Sequence, residues 1–174
     1  MSEDLRYPIG KFDRNFEVSS EARAQRIQTI KDLPARLTAA VAGLDESQLD
    51  TEYRPDGWTV RQTVHHVPDS HANALIRFKL ALTEDTPTIR PYYEDRWAQL
   101  GDAELPVDVS LRLIRAVHER WVALLESMSE DDYQRKLVHP ESGEWTLDEF
   151  LALYDWHSKH HTAHITSLRE RMGW

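Results

Sequence analysis

Residues 146–173 read TLDEFLALYDWHSKHHTAHITSLRERMG, and their spacing decides the fold. Leu147, Phe150, Leu153, Tyr154, Ile165, Leu168 and Met172 fall on one stripe of an amphipathic helix. Thr146 and Glu149 make a capping-box pattern at its start, each able to satisfy an exposed amide, and Gly173 stops it. The same helix carries His157, His160, His161 and His164 within two turns.

Three more helical segments precede it. The first runs from about Ser20 to Leu44, with Pro34 expected to interrupt it. The second starts at Thr59 and continues through VRQTVHHVPDSHANALIRFKLALTE (60–84), and the third covers SLRLIRAVHERWVALLESM (110–128). Between them, residues 85–108 are too long for a tight turn and are predicted to hold one short helix near Tyr93–Leu100. No segment sustains the alternation of a strand. The expectation is an all-α four-helix bundle forming a single domain over residues 1–174, with a long crossover between helices two and three.

An internal repeat supports this organisation. GWTVRQ (57–62) and EWTLDE (144–149) share Trp-Thr-apolar-x-Gln/Glu, and Thr59 with Gln62 repeats the capping box. Acidic turns followed by Pro- and Gly-containing loops precede both. The chain therefore reads as two helix hairpins, with helices two and four in equivalent places.

Composition narrows the function. A net charge of −9 opposes a nucleic-acid or anionic-membrane partner. The charged N-terminus does not read as a signal peptide, and no apolar run approaches a membrane span, so the expected compartment is the cytoplasm. There is no cysteine, so a metal site must rest on His, Asp and Glu.

Helical periodicity sorts the histidines of helix four. With His157 set at zero, His161 lies at about +40°, His164 at about −20° and His160 at about −60°. The apolar stripe centres at about +40°, so the histidines project toward the core. Both His157/His161 and His160/His164 have the i, i+4 spacing that lets two imidazoles reach one ion. The first pair aligns better with the core and is the preferred ligand pair. Satisfied core histidines are the competing reading, but burying four imidazoles unpaired is costly.

Helix two leaves its contribution open. His71 lies in the middle of the stripe formed by Val60, Val64, Val67, Ala74, Leu75, Phe78 and Leu82. His66 lies on a flanking polar line with Ser70, Asn73 and Arg77. That line reads either as a solvated face or as the lining of a polar pocket, and periodicity does not choose between His66 and His71.

The chain resembles the DinB/YfiT-like group, whose members are described as metal-dependent hydrolases, and specifically its YfiT branch. The strings that carry the likeness are YPIGKF, GWTVRQTVHHV, DSH, RFKLALTE, IRPYYE, WHSKHHTAHI and RMGW, spread over nearly the whole chain. The resemblance implies a four-helix bundle holding zinc or nickel through His66, His157 and His161, and a cytoplasmic homodimer. It selects His66 over His71. One departure is Pro68, where members usually carry a small helix former; proline there is expected to kink helix two beside His66.

Three neutral imidazoles leave a divalent ion with open positions, the pattern of a catalytic site. Such a site lowers the pKa of water from ~15.7 to roughly 7, which supports hydrolysis. Some relatives in the superfamily look like transferases of bacillithiol-type thiols, and metal coordination deprotonates a thiol as well. Ser70, Asn73 and Arg77 are the candidate substrate-binding residues for a small molecule, Arg77 through a bidentate contact with an anionic group. A non-catalytic metal-binding bundle is the reading from another class. Nothing resembles the Glu-x-x-His pairs of di-iron bundles. Asp69 and Asp155 point away from the chosen ligands on the wheel, so no general base is named.

Overall fold

The computed structural model describes residues 5–174. Its long helices are α1 (Ser20–Val41), α3 (Val60–Thr83), α5 (Val107–Ser127) and α7 (Leu147–Met172). Single-turn helices α2 (Glu46–Leu49), α4 (Glu94–Trp97) and α6 (Glu130–Tyr133) lie in the connections, with a 3-10 turn at Gly101–Glu104. Both capping boxes form as read: Thr59 exchanges bonds with Gln62, and Thr146 with Glu149. Gly173 ends α7 at a φ of 72°, a left-handed conformation that glycine adopts without strain.

Three expectations are corrected. The first is Pro34, which does not interrupt α1; the helix runs unbroken through it, as α3 runs through Pro68. Each proline removes one amide–carbonyl bond, but packing of the apolar face holds the rest of the helix together. Secondly, the chain does contain strand: β1 (Lys136–His139) and β2 (Gly143–Thr146) form an antiparallel hairpin pairing Leu137 with Trp145. Strands of four residues are too short to display alternation, yet both inward residues are buried and cap the core.

The third correction concerns topology. Around the bundle the order is α1, α7, α3, α5, each packed on the next and α5 closing on α1. Consecutive long helices α1 and α3 are therefore diagonal, as are α5 and α7, and the two helix hairpins do not exist. The connections explain this. Residues 42–59, with α2, and 128–146, with α6 and the β-hairpin, are long enough to cross the end of the bundle. Arg61 of α3 ties the first crossing down through Asp50 (2.7 Å) and Glu46 (2.5 Å).

The apolar core falls into two clusters. One holds Phe78, Trp121, Leu125, Phe150 and Leu151; the other holds Leu37, Val64, Ile114, Ile165 and Leu168. On α3 the residues between the clusters include Ser70 and His71, with His66 beside the last valine of the second cluster, on α5 His118, and on α7 His157 to His164. A histidine-rich layer thus cuts the core at one level of three helices.

Candidate metal centre

α3 and α7 are neighbours, which brings the histidines of helices two and four together. His66, His157 and His161 each offer a nitrogen within 4.8 Å of the others. His66 Nε2 and His157 Nε2 are 3.3 Å apart. Tetrahedral zinc with Zn–N of ~2.0–2.1 Å places two ligand nitrogens about 3.3 to 3.4 Å apart, so this edge fits the ion. The ring centroids of His161 stand 4.8 Å from His66 and 4.4 Å from His157. His161 Nδ1 is buried without a hydrogen-bond partner among the described residues.

Electrostatics suit metal ligation. Burial, and behind it His164, pushes the His66 pKa down to about 4. Burial also holds His157 and His161 well below the ordinary histidine value, each reinforced by its histidine neighbours. All three are therefore neutral at pH 7 and carry a free lone pair, the form that binds a metal.

A second set, His160, His161 and His164, has nitrogens within the same 4.8 Å. Each of its members leaves Nδ1 buried without a hydrogen-bond partner among the described residues, and two of them also make specific contacts. His164 donates Nε2–H to the Arg6 carbonyl at 3.1 Å and stacks on Tyr53 at 3.9 Å. His160 stacks on Trp156 at 4.3 Å and is buried rather than at an edge. Neither set contains a carboxylate.

The polar line of α3 runs from the centre to the crossover, and Arg77 reaches the Tyr154 side chain that Ser70 also contacts. Ser70 Oγ lies 3.4 Å from His157 Nε2 and 3.4 Å from the Tyr154 hydroxyl, at the centre itself. Asn73 donates to the Asp69 carbonyl at 2.9 Å and lines a cavity of about 510 Å³ with Arg90, Tyr92 and Tyr93. Arg77 is buried and donates to the Arg90 carbonyl at 3.0 Å, anchoring the crossover. Asp69 shares a small cavity with His65 and His66, and burial, then Asp102, pushes it up to about 6. Asp155 pairs with Lys159 at 2.8 Å.

A larger cavity, about 680 Å³, opens onto His161 and is lined in part by Tyr7, Tyr53, Arg54 and Trp58. None of these was singled out from periodicity, because each lies outside the long helices. Trp58 was nevertheless marked by the repeat, one residue before the Thr59 cap. His118 was also missed, although Ile114, His118, Trp121 and Leu125 share the inward face of α5 and all are buried. His65 is accounted for structurally: Nε2–H donates to the Leu105 carbonyl at 2.9 Å, and Ser110 Oγ lies 2.6 Å from Nδ1.

Comparison with known proteins places these features in context. Residues 29–165 match the family model of the DinB superfamily. A Bacillus cereus protein whose name proposes a metal-dependent hydrolase is 56% identical over 171 residues, covering 98% of this chain and 99% of its own. A similarly named Bacillus thuringiensis protein matches to the same extent. The structure of YfiT from Bacillus subtilis, described as a probable metal-dependent hydrolase with an unusual four-helix bundle topology, superposes with a TM-score of 0.95 at 48% identity, covering 98% of each chain. A mycothiol-dependent maleylpyruvate isomerase shares the fold at 16% identity, with a TM-score of 0.62 over 79% of this chain and 60% of that one.

Proposed function

The chain belongs to the DinB superfamily, in its YfiT-like group, and from that premise we propose that it is a metal-dependent hydrolase of a small-molecule substrate. One divalent ion per chain, zinc or nickel, is held by His66, His157 and His161. The observation that carries the reading is the convergence of three neutral imidazoles where the core is interrupted and a cavity reaches the surface. When bound, such an ion supplies a Lewis acid that polarises a carbonyl and brings the ionisation of water to roughly neutral pH.

The chain's own residues do the rest. Ser70 contacts the His157 nitrogen and orders the polar wall on the α3 side. The cavity above His161 admits the substrate; its aromatic walls receive an apolar group, and Arg54 with Asp56, Glu94 and Asp95 gives its lining charges of both signs. Asn73 and Arg77 act from further along α3, at the second cavity and its anchor.

A second reading is metal-dependent transfer of a low-molecular-weight thiol, supported by the bundle shared with a mycothiol-dependent enzyme. A metal-binding bundle without turnover is the reading from a different class. We further propose a cytoplasmic homodimer; no helix among the described residues is long and apolar enough to cross a membrane. Metal analysis of protein purified without a chelating tag, followed by ester and amide assays with and without thiol, separates these readings. Metal-dependent cleavage without thiol supports the hydrolase. A requirement for thiol selects the transferase, and bound metal with neither activity overturns both.

A further inference from the structure

The metal centre leaves two buried histidines unexplained. His71 and His118 are 0% and 1% exposed, and neither belongs to a candidate ligand set. They join His157 to the opposite side of the bundle. His157 Nδ1 is 3.1 Å from His71 Nε2, and His71 Nδ1 is 2.8 Å from His118 Nε2. His118 Nδ1 in turn bonds to the backbone carbonyl of Ile30 on α1.

We infer that His118 and His71 are positioning residues that hold the proton of His157 on Nδ1, presenting its bare Nε2 to the metal, and that Pro34 supplies the anchor of the chain. The inference deepens the proposed metal site and rests on that reading for its purpose.

The polarity follows from the last acceptor. Pro34 has no N–H, so the carbonyl of Ile30, one turn earlier in α1, loses its helical partner. Ile30 is fully buried, and an unpaired buried carbonyl costs about 1–3 kcal/mol. A carbonyl only accepts, so His118 must carry its proton on Nδ1 to bond there. A neutral imidazole has a single N–H, which leaves His118 Nε2 as an acceptor. His71 must then donate from Nδ1 and accept at Nε2. His157 must donate from Nδ1 in its turn, and its Nε2 lone pair faces His66 and Ser70.

Burial keeps the far end of the relay neutral and single-protonated, pushing His118 down to about 4. Trp121 stands edge-on to both rings, with centroids 5.7 Å and 5.9 Å away, and fixes their planes. In water a neutral histidine favours its proton on Nε2, the nitrogen this site needs bare. The relay removes that competition before metal arrives, which is the usual task of a hydrogen-bond partner behind a ligating histidine.

Long-range proton–nitrogen NMR of metal-free protein labelled at histidine nitrogens, at pH 7.5, reads the tautomers directly. The expected result is Nδ1–H for His157, His71 and His118. A His157 signal in the Nε2–H form overturns the inference whether or not the protein binds metal or turns over substrate. Failure to bind zinc, with the Nδ1–H signature intact, overturns instead the proposed metal site. His71→Gln keeps one donor and one acceptor, whereas His71→Leu keeps neither. Zinc affinity, measured by chelator competition, should fall ~10–100-fold in His71→Leu and recover in His71→Gln. Equal affinity in both variants and the wild type overturns the positioning role. Should His71→Leu not fold, His118→Phe is read by the same spectrum, with loss of the single His157 tautomer expected and its retention overturning the inference.

Discussion

His71 Nε2 lies 3.1 Å from His157 Nδ1, on the far side of that ring from His66. The two histidines of helix two that periodicity could not rank therefore take different places around one imidazole. His66, from the polar line, faces the nitrogen available to a metal; His71, from the apolar stripe, faces the nitrogen turned into the core. A ligand must approach from a side where an ion and substrate have room, and the centre of the stripe has none.

Neighbouring histidines on α7 are expected to behave differently. His161→Ala should abolish metal binding, because it removes one of three nitrogens gathered within 4.8 Å, whereas His160→Ala should keep an occupied site. Loss of an outer partner typically weakens affinity only ~10–100-fold. Metal stoichiometry and Tm of the purified variants test this, with added zinc raising the Tm of His160→Ala but not of His161→Ala. The reverse pattern would assign the site to His160 and His164.

Acid should destabilise the metal-free protein well before its carboxylates titrate. Burial lowers His66, His118 and His164 to about 4 and His160 to about 3. Unfolded, each binds a proton near pH 6.5. The unfolded state therefore takes up more protons below that pH, so this stabilisation is full above about 6.5 and lost as pH falls toward 4. Asp69, raised to about 6, acts in the opposite direction but is a single group. Chelator-treated protein should lose Tm steeply between pH 7 and 5; a flat profile would count against neutral buried histidines.

Arg23 of α1 grips Asp148 of α7 through two contacts, 3.1 Å and 3.2 Å, and both side chains are buried. Arg23→Ala leaves a carboxylate without its counter-charge and should cost about 3–5 kcal/mol in urea unfolding. Adding Asp148→Asn should recover part of that loss. A cost below ~1 kcal/mol, the range of a surface pair, would show that water relieves the site.

The proposed homodimer predicts a light-scattering mass of twice 20.3 kDa at micromolar concentration. A particle of 20.3 kDa would refute it.

Much was legible before any coordinates. The four long helices, both capping boxes, the Gly173 stop and the inward arc of the α7 histidines follow from side-chain periodicity and helix-end chemistry, which act within a few residues. The Leu137–Trp145 hairpin was not, since four-residue strands owe their existence to the core they cover. The substrate cavity was hidden too, because Tyr7, Tyr53 and Trp58 come from irregular segments that meet only after folding.

By itself, then, the amino-acid order determined which residues are helical and which faces are apolar, because those depend on contacts one turn apart. Only the tertiary structure decided that α1 and α3 lie diagonally, that α3 instead meets α7, and which partners Ser70, Asn73 and Arg77 meet along the bundle. Pro34 shows the division most clearly. Its sequence position reads as a helix interruption, and locally it does remove a bond. The carbonyl it frees finds His118, distant in sequence and on another helix, because packing brings an imidazole N–H to a buried acceptor that the helix cannot satisfy.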